Sequence, residues 1–239
     1  MKRSIWIGWD PRESEAYAVA LSSLTRRLTE HVPTHALCLS DLIERGLYHR
    51  PYEIRVHGQG LIMWDTLSDA PMSTEHANSR FLVKEMAKEG WALFMDGDML
   101  VRDDLAKLFS GLDPKFAAYC VKHNHNASFG HKMDAQIQTA YPKKNWSSLM
   151  ILNASHPSNR ALTLELINSV PGRDMHAFCW LKDEEIGSLH PRWNHLVGVS
   201  PATDDVSVAH FTLGLPTMPG YEQQQYAEEW RQELRSWAA

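Results

Sequence analysis

The stretch Trp91-Ala92-Leu93-Phe94-Met95-Asp96-Gly97-Asp98-Met99-Leu100-Val101 decides the fold. Its first five residues are all apolar, which is typical of a strand that is buried on both faces of a sheet. Two carboxylates end that run. Side chains two positions apart in an extended chain lie on one face, so we expect Asp96 and Asp98 to point together, with Gly97 allowing a turn or a close approach.

Two ionised carboxylates at this spacing repel each other by about 2 kcal/mol at an effective dielectric constant of about 20. The pair therefore destabilises the chain unless a positive group joins it. Oxygen ligands of this kind suit Mg²⁺ or Mn²⁺, which keep open positions for phosphate oxygens. Asp and Gly are also common in polar turns, so the motif alone leaves both a turn and a metal site open.

Composition narrows the class of protein. A length of 239 residues suits one larger α/β domain, so we expect a single domain over residues 1–239. The 24 basic and 29 acidic residues give a net charge of -5, which argues against a nucleic-acid surface. Cys38, Cys120 and Cys179 lack paired spacing, which indicates free thiols and a cytoplasmic location. Neither a signal peptide nor a transmembrane segment is expected.

The chain begins with a strand expected over residues 4–9. Asp10-Pro11 then gives a helix-start signal, with Asp10 as the N-cap and Glu13 completing a capping box. Tyr17 follows in the first turns of that helix, near the carboxyl end of the first strand, where open α/β sheets bind ligands. Tyr17 is interpreted either as an aromatic that stacks on a base or as a core tyrosine.

Strands and helices then alternate, which predicts an α/β fold with parallel pairing across crossover helices. A surface loop is predicted over His49–Pro71. A helix that opens at Ser73-Thr74-Glu75 is expected to carry Arg80 as an exposed cation near whatever the metal binds, and arginine is well suited to clamp phosphate. A solvated arginine without a ligand is the alternative for Arg80.

Further elements are predicted beyond the acidic pair. Asp103 is expected to cap a helix, strands are expected over residues 116–121 and 147–152, and a helix is expected over residues 157–170. Apolar residues at helical spacing predict an amphipathic C-terminal helix over about residues 221–237, which closes over the sheet or docks on a partner. A homodimer is one such option.

Four later segments carry polar side chains with functional potential. Ser147 is small and leaves room for a sugar ring beside Trp146. Lys182-Asp183-Glu184-Glu185 is either a solvated helix face or part of a site. A late strand ends at His210, which could return as a third ligand beside the two aspartates, although a lone histidine is more often structural. Lys122–Asn126 is interpreted as a polar loop, because no partner ligands have recognisable spacing.

The order of these features resembles the metal-dependent glycosyltransferases with a single Rossmann-like domain, above all glycosyltransferase family 8 and its bacterial and phage relatives. The resemblance spans residues 5 to about 230. Asp96-Gly97-Asp98 matches the Asp-any-Asp motif, and His210-Phe211 resembles the closing His-Phe whose histidine is the third metal ligand. The resemblance implies an α/β fold of the GT-A type, with a mixed, mostly parallel central sheet flanked by helices.

The resemblance also implies roles for single residues. Asp10 would contact the base and ribose, Tyr17 would stack on uracil, and Ser79-Arg80 would contact the donor pyrophosphate. Asp183-Glu184 resembles the Asp-Gln step near the reacting sugar. Pro191-Arg192-Trp193-Asn194 is similar to the family's proline, aromatic and asparagine segment.

Two segments depart from the family pattern. Trp146-Ser147-Ser148 stands where the family has Asn, Ser or Ala, and Gly, so Trp146 and Ser147 are the candidates for donor contacts there. Gly214-Leu215-Pro216 stands where most members have Gly-Lys-Pro-Trp, so this chain lacks a lysine that contacts the donor phosphates.

The resemblance implies transfer of a sugar from a nucleotide-diphosphate sugar, with UDP as the expected nucleotide and with retention at the anomeric carbon. Asp96, Asp98 and His210 would hold Mn²⁺ or Mg²⁺, which neutralises charge on the leaving diphosphate. Arg80 would assist, and Asp183 would orient hydroxyls or stabilise the oxocarbenium-like sugar. The acceptor is a glycan, a lipid-linked molecule or another compound.

Two other classes of protein fit part of the pattern. A sugar-phosphate nucleotidyltransferase has a similar sheet and an acidic metal site, but Gly8-Trp9-Asp10-Pro11 stands where that group has a glycine-rich start followed by a basic residue. A degenerate, non-catalytic protein that binds nucleotide-sugars is the second alternative. The departures at residues 147–148 and 214–216 favour it.

Overall fold

The computed structural model describes residues 1–57, 60–124 and 143–237; of the predicted polar loop, His125 and Asn126 lie outside the described residues. The α-helices in these ranges are α1 (Ser14–Arg27), α2 (Leu39–Glu44), α3 (His76–Ser79), α4 (Val83–Ala87), α5 (Leu164–Ser169), α6 (Gly172–His176) and α7 (Ala227–Trp237). None of these helices has the length and apolar character needed to cross a membrane. The strands are β1 (Arg3–Gly8), β2 (Thr34–Leu37), β3 (Tyr52–His57), β4 (Gly60–Asp65), β5 (Ala70–Met72), β6 (Trp91–Met95), β7 (Met99–Val101), β8 (Ala118–Cys120), β9 (Leu149–Asn153), β10 (Ile186–Ser188), β11 (His195–Leu196) and β12 (Val208–His210).

A six-stranded sheet in the order β10-β8-β9-β6-β1-β2 forms the centre of the fold. The pairs β10–β8, β6–β1 and β1–β2 are parallel, whereas β9 runs antiparallel to both β6 and β8. Helices flank this sheet. The predicted α/β fold with a mixed, mostly parallel central sheet is therefore confirmed.

β6 lies inside the sheet because both of its faces are apolar. Ala92 and Phe94 pack into one core cluster, and Trp91, Leu93 and Met95 pack into a second cluster. All five residues are buried. Burial of each large apolar side chain contributes roughly 1.5–3 kcal/mol, so this strand fixes where its carboxyl end, and with it the acidic pair, must lie.

A second sheet, in the order β11-β12-β7, follows directly after the acidic pair. β7 begins one residue after Asp98, and His210 at the end of β12 pairs antiparallel with Met99. The backbone N–H of Phe211 donates to the carbonyl oxygen of Asp98 at 3.0 Å. The register of β12 against β7 therefore carries His210 back to the acidic pair from far along the chain.

A third sheet, in the order β3-β4-β5, replaces the loop predicted over His49–Pro71, and that prediction is wrong. The apolar residues Ile54, Val56, Leu61 and Met63 share one face of the β3–β4 hairpin. This alternation is the period-two pattern of a strand pair. His57 and the two glycines between these residues obscure the pattern in the sequence.

A buried ion pair fixes the base of this hairpin. The Arg50 guanidinium and the Asp65 carboxylate approach to 2.6 Å, and both side chains are at most 2% exposed. Arg50 Nη1 also donates to the carbonyl oxygen of Ile167 at 3.0 Å. These bonds tie the hairpin to the segment around α5 and α6.

Two predicted helices are shorter and more broken than expected. The helix that follows Ser73-Thr74-Glu75 consists of α3, a 3-10 turn at Arg80–Leu82 and α4. The helix expected over residues 157–170 is a 3-10 turn at Pro157–Ala161 followed by α5, which the Thr163 side chain caps.

Two helix starts also differ from the prediction. Asp104, rather than Asp103, caps the turn that follows it, because its carboxylate accepts from the backbone N–H of Ala106. The C-terminal helix begins at Ala227 and not near residue 221. Tyr226 has a φ of 64°, and this left-handed conformation breaks any helix that approaches from the preceding residues.

Candidate functional site

The turn that carries the acidic pair passes closely over the end of β1. A Cβ atom on Gly97 would lie 2.6 Å from the carbonyl oxygen of Gly8. Any side chain at position 97 would therefore push the turn away from the sheet. This close approach is the reason why Asp96 and Asp98 are separated by glycine, and it confirms the close approach predicted for Gly97.

Asp96, Asp98 and His210 bring three ligand atoms within 4.8 Å of one another. His210 Nε2 lies 3.3 Å from Asp98 Oδ1 and 3.9 Å from Asp96 Oδ2. Adjacent and opposite ligands of an octahedral ion bound at about 2.1 Å lie about 3 Å and about 4.2 Å apart. The buried Asp98 Oδ1 has no hydrogen-bond partner among the described residues. The distances and this unsatisfied oxygen both fit a divalent cation with oxygen and imidazole ligands.

Asn194 sets the tautomer of His210. Asn194 Nδ2 donates to Ser148 Oγ at 2.8 Å, which turns the amide oxygen of Asn194 towards His210 Nδ1, 3.0 Å away. An amide oxygen only accepts, so Nδ1 carries the proton and Nε2 presents its lone pair to the aspartates. Such an outer hydrogen bond is typical of metal-binding histidines. Ser148, one of the two serines that depart from the family pattern, therefore positions the histidine indirectly.

Arg80 and His76 hold the other oxygen of Asp96. Arg80 Nη1 lies 2.9 Å and His76 Nε2 lies 3.3 Å from Asp96 Oδ1. The Arg80 contact is an ion pair by distance, and the oxygen has no well-aligned hydrogen bond among the described residues. Burial raises the pKa of Asp96, but Arg80 and His76 lower it by more than burial raises it. The pKa therefore lies well below the usual value for aspartate. Asp96 is therefore ionised.

The prediction that Arg80 is an exposed cation is wrong. Its residue is 6% exposed, and its guanidinium also donates to the carbonyl oxygens of Ala77 and Ser147 at 3.0 and 3.1 Å. The ring of Phe94 packs beneath it at 4.9 Å. Arg80 thus compensates the charge of Asp96 from a buried position in the wall of the cleft.

A cleft of about 940 Å³ opens above the cluster. Of the residues predicted from the sequence to form the site, those that line it are Arg80, Asp96, Asp98, Ser147 and His210. The lining described by the structure does not include Asp10, Tyr17, Trp146 or Asp183. The remaining walls come mainly from the turn before β5, from α3 and from the segment 211–221.

Two of the residues outside this lining lie near the start of α1. The Asp10 carboxylate accepts from the backbone N–H of Arg12 and of Glu75 at 2.9 Å and pairs with the Arg12 guanidinium at 2.6 Å. Asp10 therefore caps the turn as predicted and ties it to the segment before α3. Tyr17 is half-buried and packs edge-on against Trp9, with ring centroids 5.0 Å apart. Their predicted contacts with a base and ribose stay predictions.

The other two contact the segments around His123 and Lys143. Trp146 donates from its indole nitrogen to the carbonyl oxygen of His123 at 2.9 Å. Asp183 has a side chain that is 78% exposed and that pairs with Lys143 at 2.6 Å. The structure does not bring Asp183 together with the metal-ligand cluster, and its role near the reacting sugar stays a prediction.

The cleft lining also includes residues that the sequence does not assign to the site, among them Glu13, His76 and His176. Burial and the charge of Asp98 raise the pKa of Glu13 to about 7. His176 Nδ1 lies 2.6 Å from Ser147 Oγ, and burial together with Arg80 lowers its pKa to about 3, so the imidazole is neutral. His76 stands four positions before Arg80, a spacing that places both on one helix face. The sequence around His176 carries no comparable signal.

Comparisons with solved structures find the same fold. No family model matches the chain. The glycosyltransferase GlyE of Streptococcus pneumoniae TIGR4 matches with a TM-score of 0.61 at 14% identity, over 100% of this chain and 62% of GlyE. The galactosyltransferase LgtC, in complex with donor and acceptor sugar analogues, matches with a TM-score of 0.60 at 16% identity, over 98% of this chain and 95% of LgtC. The chain thus spans less than two thirds of GlyE but nearly all of LgtC.

A sequence relative is closer. The protein CDI of Arabidopsis thaliana is 37% identical over 240 residues, which cover 98% of this chain and 86% of CDI. The chain therefore has the GT-A fold of the glycosyltransferases and belongs to the family of the Arabidopsis protein CDI.

Proposed function

We propose that this chain is a metal-dependent glycosyltransferase. It moves a sugar from a nucleotide-diphosphate sugar, with UDP as the nucleotide, to a glycan, lipid-linked or other acceptor, with retention at the anomeric carbon. The observation that carries the proposal is the cluster of Asp96, Asp98 and His210 at the floor of the 940 Å³ cleft. The likeness to LgtC, whose structure holds donor and acceptor sugar analogues, supports it.

Asp96 Oδ2, Asp98 Oδ1 and His210 Nε2 would hold Mn²⁺ or Mg²⁺. When bound, such a cation neutralises the charge that develops on a leaving diphosphate. The chain's own residues prepare this site. Asn194 keeps the His210 lone pair directed at the aspartates, and Arg80 with His76 keeps Asp96 ionised and oriented through its second oxygen.

Two basic side chains of the cleft take the place of the phosphate-binding lysine that the segment 214–216 lacks. Lys144 and Arg173 both line the cleft, whereas the guanidinium of Arg80 faces Asp96. A diphosphate carries charge beyond what one divalent cation neutralises, and Lys or Arg side chains are its usual protein partners. We assign Lys144 and Arg173 to the anionic part of the donor.

The finer assignments belong to the same proposal. Asp10, Tyr17, Trp146 and Ser147 contact the donor, and Asp183 acts near the reacting sugar. The chain works as a single domain in the cytoplasm, where nucleotide-sugars are available to it.

Isothermal calorimetry of UDP binding tests the proposal. We expect the parent protein to bind UDP with Mn²⁺ or Mg²⁺ and to lose binding with a chelator, because without the cation the carboxylates of Asp96 and Asp98 repel the diphosphate. Asp98→Ala should abolish metal-dependent binding. Asp41→Ala removes a carboxylate that is 55% exposed on α2 and should bind like the parent.

A panel of nucleotide-sugars then separates the alternatives. Slow metal-dependent hydrolysis of one donor by the parent, absent in Asp98→Ala, supports a transferase and names the sugar. Binding without any turnover at long incubation would favour the non-catalytic binding protein. Binding of UDP that is equal with metal and with chelator would contradict the proposal.

A further inference from the structure

The outer edge of β3 is exposed and apolar. β3 ends the sheet order β3-β4-β5, so one of its sides has no partner strand within the described ranges. Tyr52, Ile54 and Val56 are 39%, 57% and 78% exposed, and Leu61 beside them on β4 is 66% exposed. A long edge strand with exposed apolar side chains is a template for pairing with another strand.

The backbone groups at this edge belong to the same residues as the apolar side chains. The N–H of Thr66 donates to the carbonyl oxygen of Pro51 across the hairpin, so residue 51 turns its backbone towards β4. Hydrogen-bonded and non-hydrogen-bonded pairs alternate along an antiparallel ladder. Residues 53, 55 and 57 therefore also bond to β4, and Tyr52, Ile54 and Val56 direct their N–H and C=O groups outwards.

The edge is complementary to a second copy of itself. An antiparallel pairing with a two-fold axis at Ile54 sets Ile54 opposite Ile54 and Tyr52 opposite Val56, all of them residues whose backbone groups point outwards. The same register sets Glu53 opposite Arg55 twice, on the other face of the sheet. Opposite charges and apolar pairs at facing positions both stabilise an antiparallel ladder.

We propose that two copies of this chain form a symmetric dimer in which their β3 strands pair antiparallel about Ile54, joining two three-stranded sheets into one sheet of six strands. The three outward-facing residues of each copy supply six backbone hydrogen bonds. A partner of another kind would need a strand of matching charge order, whereas the chain itself provides Glu53 and Arg55 in the required positions. The interface is small, so the dimer is weak and reversible.

Sedimentation velocity from about 1 to about 200 µM protein, the range in which small interfaces dissociate, tests the dimer. The weight-average sedimentation coefficient of the parent should rise with concentration from the monomer value towards the dimer value. Ile54→Pro removes an N–H that points away from β4, a position at which edge strands tolerate proline. It should weaken the dimer at least about tenfold, because two central hydrogen bonds are lost.

A charge exchange makes the test specific for this register. Glu53→Arg gives a strand with two arginines, and Arg55→Glu gives a strand with two glutamates, so each variant alone should remain monomeric. An equimolar mixture of the two should form a heterodimer, since every arginine then faces a glutamate. Ile43→Lys, at a residue on α2 that is 42% exposed, should leave the parent dimer unchanged.

Three results would overturn the proposal. They are a parent that stays monomeric at every concentration, a dimer that Ile54→Pro does not weaken, and a mixture of the two charge variants that does not associate. Circular dichroism and thermal unfolding confirm that each variant is folded.

Discussion

The carboxyl end of β6 and the start of α1 were both expected to bind the donor, yet the chain uses them differently. At the end of β6, Asp98 Oδ1 lacks a hydrogen-bond partner among the described residues and His210 Nε2 lies 3.3 Å away, so the geometry leaves room for a ligand. At the start of α1, both oxygens of the Asp10 carboxylate accept hydrogen bonds, from the backbone N–H and guanidinium of Arg12 and from the backbone N–H of Glu75. A carboxylate oxygen without a hydrogen-bond partner, such as Asp98 Oδ1, is open to a ligand, whereas the Asp10 carboxylate stabilises the turn before α1 through its bonded oxygens.

The largest effect on stability and metal binding is expected at Asp96, which is both a proposed metal ligand and the ion-pair partner of the buried Arg80. Asp96→Ala removes one proposed metal ligand and leaves the buried Arg80 without its carboxylate. Loss of one partner from a buried ion pair typically costs about 3–5 kcal/mol. We expect a loss of free energy of unfolding of about 3 kcal/mol, measured by urea denaturation, together with loss of Mn²⁺ binding. An unchanged urea midpoint would contradict the assigned role of Asp96.

Asn194→Leu tests whether the outer hydrogen bond tunes the site. The variant removes the acceptor that holds the proton on His210 Nδ1, and removal of such partners typically lowers metal affinity by about 10- to 100-fold. Titration with Mn²⁺ followed by electron paramagnetic resonance measures this change. Asn194→Asp keeps an acceptor and should retain most of the affinity, whereas equal losses in both variants would point to a packing effect.

Asp10→Asn probes the other side of the comparison. Burial raises the pKa of Asp10, but the bonds to Arg12 and Glu75 lower it by more than burial raises it. The pKa in the folded protein therefore lies below the ordinary value for aspartate. The carboxylate therefore contributes stability above its unfolded pKa of about 3.9, and this contribution is lost as the pH falls through the folded pKa. We expect Asp10→Asn to cost about 1 kcal/mol at pH 7 and less below pH about 4, with Mn²⁺ binding unchanged.

Tyr17→Leu should have the smallest effect on the protein itself. Stacking of a nucleotide base on an aromatic side chain typically contributes about 1–3 kcal/mol to binding. If uracil stacks on Tyr17, the variant should therefore bind UDP roughly tenfold more weakly. The free energy of unfolding and the Mn²⁺ affinity should stay close to those of the parent. Unchanged UDP affinity would assign Tyr17 to the core, where it packs against Trp9.

The parts of the fold that follow from local pattern were predictable. The apolar run of β6 predicts a doubly buried strand, and the i,i+2 spacing of Asp96 and Asp98 predicts a shared face. His210 is a possible third ligand from the end of a late strand, but only the family resemblance favours that role over a structural one, because the register of β12 against β7 is a long-range property. The pairing of His176 with Ser147 likewise depends on contacts between distant segments, which no local pattern encodes.

Two errors have physical causes of the same kind. The exposure of Arg80 was misjudged because α3, the 3-10 turn and α4 are too short and too irregular for one helical period to define their faces. The β3–β4 hairpin was missed because its apolar face is exposed at the tip and buried only near Met63. Sequence patterns assign faces well where one side is uniformly buried, and poorly where burial changes along an element.

Anomalous diffraction from crystals grown with Mn²⁺ and UDP tests the central claim most directly. The account predicts one strong manganese peak about 2.0–2.2 Å from Asp96 Oδ2, Asp98 Oδ1 and His210 Nε2, with the diphosphate beside it in the cleft. A peak held by other residues, or none at saturating Mn²⁺, would contradict the account.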